Sequence, residues 1–592
     1  PPKRQPGKPR CLFVCPYASR RAAARFRVKQ PTPAIVPHSA VRPLPRWALL
    51  LLCAAYVLPG FIGRDPWRGA DVTAYAYMQL LAQGQTPWLT PLLGGLPPES
   101  DGLLPYWIGA WALQGAQGLL PALLAVRIPF ALLLVLTLWA SWWGIYALAR
   151  SPGAQPVAFA FGGEASPADY ARAIADGGLL ALLASLGLAQ PSHETSAYLT
   201  QLCATALVFY GLAAMPRHRW WPWLALAAGL TGLLLSGAPV LALLYGLGGA
   251  ALCLWAAEQP QPQARRAAWG VLALTLAAAL LSWQLGFWER RALWPEVEKD
   301  ASSLARLLVW FTWPAWPLAL WTLWRWRGRV WARPLQRHLW LPGWFAVCAL
   351  GAMLLSHPAD RALLLGLPAL AALAAFALPT LKRSVSALID WFTLLFFSAS
   401  AIAIWVIWIS TQTGVPAKPA ANVARLALGF QPEFSALALG VALAASAAWC
   451  AVVVWRTGRN RSALWKTLVL PAAGTTLCWL LLTSLWLPML NYARSDASQM
   501  RAVLALVGRP ACVHVLGLDR GQYAALQVYT GIPTRPLTAA APACPWLLEA
   551  DAATVPERRR TPLAAGEWTP VERIGRPTDR HDALVVYRRV EP

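Results

Sequence analysis

Long apolar runs, separated by short polar connections rich in arginine or proline, recur from Trp47 to Leu487. The first covers Trp47 to about Ile62, and others lie near 103–125, 128–149, 195–214, 220–237, 239–257, 267–287, 304–324, 339–356, 362–380, 388–409, 435–455 and 467–488. A helical bilayer crossing needs roughly 20 apolar residues, so the pattern predicts about thirteen transmembrane helices. Two places depart from it. The run Leu179–Leu188 is too short to cross, so 151–194 reads as one outer segment holding an interfacial or re-entrant helix. The stretch 288–303, with ERR and then EVEKD, reads as another outer segment carrying an amphipathic surface helix.

Both ends of the chain break the apolar rhythm. Residues 1–46 are rich in Pro, Lys and Arg, carry almost no acid and show no apolar period, which predicts a disordered basic arm. From 489 to 592 the pattern changes to short β-prone runs between turn residues: ACVHVLGL, YAALQVYTGI, PWLLEA and DALVVYRRV, led by a helical MRAVLALVG. These residues predict a small C-terminal α/β domain of ordinary size.

Composition agrees with a membrane protein. The 592 residues are 57% hydrophobic and only 13% charged, with a mean hydropathy of +0.45, far more apolar than a soluble chain with its usual quarter of charged residues. Thirty-five tryptophans suit indole rings at the headgroup level. A net charge of +25 raises the question of nucleic acid, but the arginines lie in short loops rather than on one basic domain, so they read as topology signals and anionic-lipid contacts. With the amino terminus inside, the inner loops hold Arg127, Arg217 and Arg219, Arg265 and Arg266, the run from Arg325 to Arg337, Lys382 and Arg383, and Arg456 to Lys466. The positive-inside asymmetry therefore predicts a cytoplasmic amino terminus, and an odd number of crossings puts the C-terminal domain on the periplasmic side of a bacterial inner membrane. The first apolar run lacks a small-residue cleavage pattern and reads as an uncleaved anchor.

Cys53, Cys203, Cys253, Cys348, Cys450 and Cys478 stand singly in apolar runs, as small packing residues do. Cys512 and Cys544 lie in the polar C-terminal region, where an oxidising compartment would let them pair and contribute roughly 2–4 kcal/mol.

The outer segments concentrate the candidate chemistry. The loop 63–102 carries Asp65, Asp71, Glu99 and Asp101 with Arg64 and Arg68; 151–194 carries Glu164, Asp169, Asp176 and Glu194; His193, His357, Asp360 and Arg361 fall at outer ends of crossings. Converging on one outward cavity, a carboxylate there could take a proton from an acceptor hydroxyl, while Arg64, Arg68 and Arg361 hold a phosphate. Asp65, Asp101, Tyr106, His193 and Glu194 complete the candidate substrate-binding set. Asp71 precedes the helical run TAYAYMQLLAQG, so it either caps that helix or points into the cleft beside it. The pair His193–Glu194 is able to bind a divalent metal or orient a substrate, although two residues are not a complete metal site. His357, beside Pro358, reads as a turn residue, with metal ligation the alternative.

The segments GRDPWRGADVTAYAYMQLLAQG and WLTPLLGGLPPESDGLLPYWIGA, together with RALLLGLPALAALAAFALP at 361–379 and the C-terminal domain, resemble the polyprenyl-phosphate-dependent GT-C glycosyltransferases. The resemblance is greatest to the bacterial aminoarabinose (lipid A) transferase branch and more distant to the protein mannosyltransferases. It covers most of the chain from Arg46, with Asp71, Trp88-Leu89-Thr90-Pro91 and Tyr106-Trp107 on the family's pattern. It implies a GT-C transmembrane domain over 47–488 with periplasmic juxtamembrane helices. It implies inverting transfer of a sugar from an undecaprenyl-phosphate donor to a lipid A-like or glycan acceptor at the periplasmic face, with Asp71 and Asp176 as the catalytic carboxylates. Val72 stands where the family has a second acid, and Ser100-Asp101 where it has Glu-Lys, so the resemblance does not carry aminoarabinose over as the sugar. Two other functions share this topology: a flippase or transporter of lipid-linked sugars, and a glycan ligase or polymerase. A transporter would be expected to place ionisable groups at mid-membrane and to show inverted repeats; the main acid inside a predicted crossing is Asp390, near an inner end, and no repeat links the halves.

Overall fold

The computed structural model describes residues 32–98, 102–256, 261–286, 300–356, 358–458, 463–537, 544–551 and 567–590. Helix α1 (Arg46–Val57) leads through a 3-10 turn at Pro59–Phe61 into a loop that carries α2 (Ala70–Ala82) and α3 (Leu104–Gly115). Then come α4 (Ala122–Ala149), α5 (Pro167–Ala184), α6 (Ala197–Ala214), α7 (Trp221–Leu235), α8 (Pro239–Trp255) and α9 (Gln261–Gln284). After Asp300 follow α10 (Ala301–Phe311), α11 (Ala315–Arg325), α12 (Arg327–Val330), α13 (Arg337–Leu355), α14 (Ala359–Leu364) and α15 (Leu367–Ala377). The helical body ends with α16 (Arg383–Thr413), α17 (Ala417–Leu426), α18 (Ala436–Thr457), α19 (Val469–Ser484) and α20 (Leu487–Arg494).

Among the described residues, seven helices are long and apolar enough to cross a membrane, or eight if α5 and the 3-10 turns after it, bent by 65°, form one broken span. The chain is a multi-pass membrane protein. Several of the thirteen expected crossings fall on apolar helices of 10–17 residues, including Arg46–Phe61, Trp221–Leu235, Pro239–Trp255 and Leu367–Thr380.

The two runs expected at 103–125 and 128–149 are instead a short α3 and a 28-residue α4. Arg127 does not mark a loop between them. It lies inside α4, buried, donating to the carbonyl of Phe61 at 3.3 Å and to that of Arg64. A guanidinium satisfied by backbone carbonyls can stay inside an apolar helix, so its charge is no signal of a boundary.

The segment 151–194, expected as one outer segment, holds the 18-residue helix α5, bent by 65° from the 3-10 turns that follow it, as in a broken span or a re-entrant loop. The far end of α4 opens into a loop whose backbone bonds to residues 34–38, from Val157 N to Ala34 O and from Ala165 N to Val36 O, both at 3.0 Å. From there α5 runs back to the end where Arg64 lies. Its first ten residues carry Asp169, Arg172 and Asp176, which lower its apolar signal although much of the helix is buried. Residues 32–45 are accordingly ordered rather than part of a disordered arm, with Ala34 and Val36 fully buried; the expectation for 1–31 lies outside the described residues. Most of 288–303 also lies outside them, and the amphipathic helix forms at α10, capped by Asp300.

The C-terminal unit contains α21 (Ala497–Val507), β1 (Val513–Leu516), α22 (Arg520–Thr530), β2 (Thr534–Pro536), β3 (Trp546–Ala550), β4 (Trp568–Arg576) and β5 (Asp579–Arg589). The sheet order is β2-β1-β3-β5-β4, with β1 parallel to β2 and β3, and β5 antiparallel to β3 and β4. Cys512 and Cys544 form a disulfide beside β1 and β3. The run YAALQVYTGI, expected as β-prone, is helix α22. Asp519 and Gln522 form a capping box before it and Gly531 closes it at φ 64°, and these local signals override the Val, Tyr and Thr content.

Close helix contact in the body rests on small residues. A Cβ at Gly229 on α7 would lie 2.7 Å from the Ala204 carbonyl oxygen and 2.8 Å from the Val208 nitrogen on α6, so the backbones themselves would have to separate. Gly229→Ala should therefore destabilise the purified protein by about 1–3 kcal/mol, the usual scale of overpacking. Gly440→Ala on α18, where nothing lies within 4 Å, serves as the control. Equal thermal midpoints for the two variants in detergent would contradict this contact.

Candidate functional site

The loop after α1 turns sharply at Gly63 (φ 69°) and Gly69 (φ 95°), carrying Arg64 inward and delivering Asp71 in the first turn of α2. Both side chains are buried, Arg64 at 1% and Asp71 at 2% exposure. One Arg64 nitrogen, Nη2, donates to Asp71 Oδ2 at 3.0 Å and to the His193 carbonyl at 2.6 Å, and its guanidinium lies 4.7 Å from the Trp67 ring centre. Asp71 Oδ2 also accepts from the Trp67 amide at 3.2 Å, and Oδ1 accepts from the Thr195 amide at 2.9 Å and the Thr195 hydroxyl at 2.7 Å. Four donors thus surround the carboxylate. Burial alone would raise its pKa, but the charges of Arg64 and Arg127 and the Thr195 hydrogen bonds outweigh burial and hold it below the ordinary carboxylate range. Asp71 caps no helix; it joins the first loop to the connection between α5 and α6.

Next in the chain is Glu194, 3% exposed. Its Oε1 meets Arg361 Nη2 at 2.8 Å and Gln190 Nε2 at 3.4 Å, while Oε2 is buried with no hydrogen-bond partner among the described residues. Burial pushes the Glu194 carboxyl up against the pull of Arg361, and the charge of Asp71 adds to the rise. Arg361 lies 5.5 Å from the Tyr198 ring centre, and its Nη1 is likewise buried without a partner. Two buried carboxylates in one locality thus differ: one is saturated and acidic, the other has an uncommitted oxygen and a raised pKa.

The other expected site residues divide. Asp65 is part-buried beside Asn491 and Ser495, near the cluster. Tyr106, at the start of α3, packs against Tyr77 with ring centres 5.4 Å apart. Arg68 points away, forming ion pairs with Asp582 and Asp519 of the C-terminal unit. Asp176 is not brought to Asp71. It lies midway along α5, accepting from Trp142 Nε1 at 2.8 Å and bonding the backbone of Leu44, so it joins α4, α5 and the residues before α1. Asp101 and His357 lie outside the described residues.

His193 is held by backbone carbonyls and aromatic rings. Its Nδ1 faces the Ala189 carbonyl, its Nε2 lies 3.1 Å from the Tyr56 carbonyl, and its ring packs among Tyr56, Phe61 and Trp479. With Glu194 turned to Arg361, the pair offers no metal site, and no group of three or more His, Cys, Asp or Glu among the described residues could hold an ion. Thr195, Tyr198 and Arg127 were not singled out for the site by sequence. Threonine and tyrosine carry no charge signal, and Arg127 resembled a loop marker.

The C-terminal unit braces this loop. Tyr529 donates to the Pro66 carbonyl at 3.0 Å, and Tyr523 packs over Gly94, where a Cβ would lie 2.3 Å from its ring.

A multi-pass helical body with a buried Arg–Asp cluster at one end, against a small mixed-sheet C-terminal unit, defines a polytopic membrane protein. The fold is that of ArnT from Cupriavidus metallidurans. The structure of ArnT bound to undecaprenyl phosphate superposes with a TM-score of 0.58 at 15% identity, over 92% of this chain and 98% of that chain. The apo structure gives 0.57 at 16% identity over the same shares. The arabinofuranosyltransferase AftD from Mycobacteria aligns at 16% identity over 92% of this chain and 42% of that chain, with a TM-score of 0.43. No family model and no curated protein matches the sequence.

Removing one member of a buried ion pair leaves an uncompensated charge and costs about 3–5 kcal/mol. Asp71→Asn should therefore lower the thermal midpoint substantially, and Arg64→Met in the same chain should restore part of the loss. If the double variant melts no higher than Asp71→Asn, the pair is not coupled.

Proposed function

We propose that this chain is a GT-C glycosyltransferase that moves a sugar from a polyprenyl-phosphate donor, such as an undecaprenyl-phosphate-linked sugar, to a hydroxyl of a lipid A-like or glycan acceptor. The reaction takes place at the periplasmic face of a bacterial inner membrane. The observation that carries this reading is the contrast between Asp71 and Glu194, within a body that shares the fold of a protein solved with undecaprenyl phosphate bound.

In the reaction the acceptor hydroxyl attacks the sugar C1, the bond from C1 to the phosphate oxygen breaks, and the polyprenyl phosphate leaves. The proton released by the hydroxyl passes to a base. Asp71 is poorly suited to that part because its charge is stabilised by Arg64 and Arg127 and its oxygens are engaged. It holds the loop, Thr195 and Arg64 in register, so it is a positioning residue. Glu194 has the uncommitted Oε2 and the higher pKa, and takes the proton. With Nη2 on Glu194 and Nε on Asp360, Arg361 keeps its Nη1 for the phosphate, whose growing charge it stabilises as the bond breaks. The isoprenoid tail lies along apolar helix faces.

Because the base must be deprotonated, the transfer rate should fall as pH drops through the Glu194 pKa, which lies above that of an ordinary glutamate. Glu194→Gln should reduce transfer of labelled sugar at least a hundredfold, the lower range for loss of a general base, while undecaprenyl phosphate still binds. Its residual rate should no longer show the acid limb. Turnover near the wild-type rate would defeat the assignment. Transfer of lipid-linked sugar across vesicle membranes without any glycosidic product would instead identify a flippase.

A further inference from the structure

The eight-residue helix α20 follows α19 and leads into the C-terminal unit. Asn491 and Arg494, three residues apart, share one of its faces. We infer that Arg494 and Gln190 are positioning residues for the transfer reaction, Arg494 fixing the side-chain amide of Gln190 and Gln190 fixing the Glu194 carboxylate through Oε1; the inference rests on the reading of Glu194 as proton acceptor above.

The aim of Arg494 is set from several sides. Asn491 Oδ1 accepts from the Asp65 amide and the Trp67 indole, both at 3.1 Å, and its Nδ2 donates to the Gly63 carbonyl at 3.1 Å. These bonds fasten α20 along the first loop. The Arg494 carbonyl accepts from the Arg68 amide at 2.8 Å. Its guanidinium lies 5.3 Å from the Trp67 ring centre, and that of Arg64 lies 4.7 Å from the same ring. From the C-terminal unit, Arg576 and the Thr578 hydroxyl, the latter at 3.1 Å, both donate to the Ala493 carbonyl. A long exposed side chain ordinarily samples many rotamers, but this one is held at its backbone and at its guanidinium.

From that position Arg494 Nη1 donates to Gln190 Oε1 at 2.8 Å, and Gln190 Nε2 donates to Glu194 Oε1 at 3.4 Å. Charge decides which way this amide points. Its oxygen faces the guanidinium and its NH2 group the carboxylate; the flipped amide would set donor against donor and oxygen against carboxylate. Between Gln190 and Glu194 the chain makes only the 3-10 turn Pro191–His193, so the side chains themselves set how the carboxylate is turned. Glu194 Oε1 is shared between Arg361 at 2.8 Å and Gln190, which leaves Oε2 as the oxygen that takes the proton. With Arg361 as its one remaining partner the carboxylate could rotate about that bond, and Oε2 would lose its direction. The C-terminal unit thus acts on the proton acceptor through α20 and a single amide.

The test follows labelled sugar passing from undecaprenyl-phosphate-linked pentose or hexose to membrane lipid, catalysed by the full chain in nanodiscs, with binding of undecaprenyl phosphate alone as the measure of an intact fold. Gln190→Leu and Arg494→Met should each lower kcat about tenfold with carrier binding unchanged, and Arg494→Lys should recover part of the loss. Because both residues act through Glu194, neither substitution should lower the residual rate further when added to Glu194→Gln. Wild-type kcat in both single variants, a loss that persists undiminished on the Glu194→Gln background, or loss of carrier binding together with turnover would each overturn the positioning role while the glycosyltransferase reading stands. Wild-type turnover by Glu194→Gln, or no transfer by the wild type, would remove the reading on which the inference rests, and the inference with it.

Discussion

Burying Arg64 with Asp71 constrains the whole upper end of this molecule. An isolated charge in that place would be prohibitively expensive, so each must arrive with partners already fixed. Asp71 requires the Thr195 amide and hydroxyl from the entry to α6, and Arg64 requires the His193 carbonyl from the same strand of chain. Arg127, reaching from inside α4, satisfies itself on the carbonyls of Phe61 and Arg64. The first loop, the bent end of α5 and the starts of α4 and α6 are thereby tied by one electrostatic network. Packing around it is equally close. His193 fills the space over Gly60, where a Cβ would lie 2.2 Å from its ring.

The C-terminal unit extends that constraint rather than adding a separate module. Arg68, four residues beyond Arg64, turns to Asp582 and Asp519, while Arg576 bonds the Ala493 carbonyl at the junction between α20 and α21. One short loop therefore has its alternate arginines committed in opposite directions, Arg64 into the helical body and Arg68 into the cap. In the proposed reaction this fixes the roof over the donor, because the loop cannot shift without disturbing both the buried pair and the seam with the cap.

Sequence patterning disclosed the membrane class, the polar C-terminal unit, and two acids, Asp71 and Glu194, that the structure buries against arginines, because charge density and apolar run length are local properties. It failed where satisfaction depends on distant chain. Arg127 reads as a loop marker unless the carbonyls that receive it are known. Asp176, in the polar run IADGG, bonds Trp142 on α4 and the backbone of Leu44 rather than joining the Asp71 cluster. The polar first ten residues of α5 hid a helix that runs between the two ends of the body. Strand propensity misassigned α22, where a capping box and a terminal glycine decided the outcome. Thr195 carries no formal charge and became visible only through the atoms it faces.

These contacts move the centre of the candidate site from the acidic first loop to the four residues that lead into α6 and to its first turn. His193 lends its carbonyl to Arg64, Glu194 meets Arg361, Thr195 holds Asp71, and the Tyr198 ring lies beside the Arg361 guanidinium. Successive residues outside regular helix can point in different directions, so one short irregular stretch serves both carboxylates and both of their arginines at once. A continuous helix would return to the same face only every three or four residues. The break between α5 and α6 is thus what lets the chain set a saturated carboxylate and an unsaturated one side by side. That difference in satisfaction, rather than the number of acids in the loop, assigns the proton acceptor in the proposed reaction to Glu194 and leaves Asp71 to hold the frame.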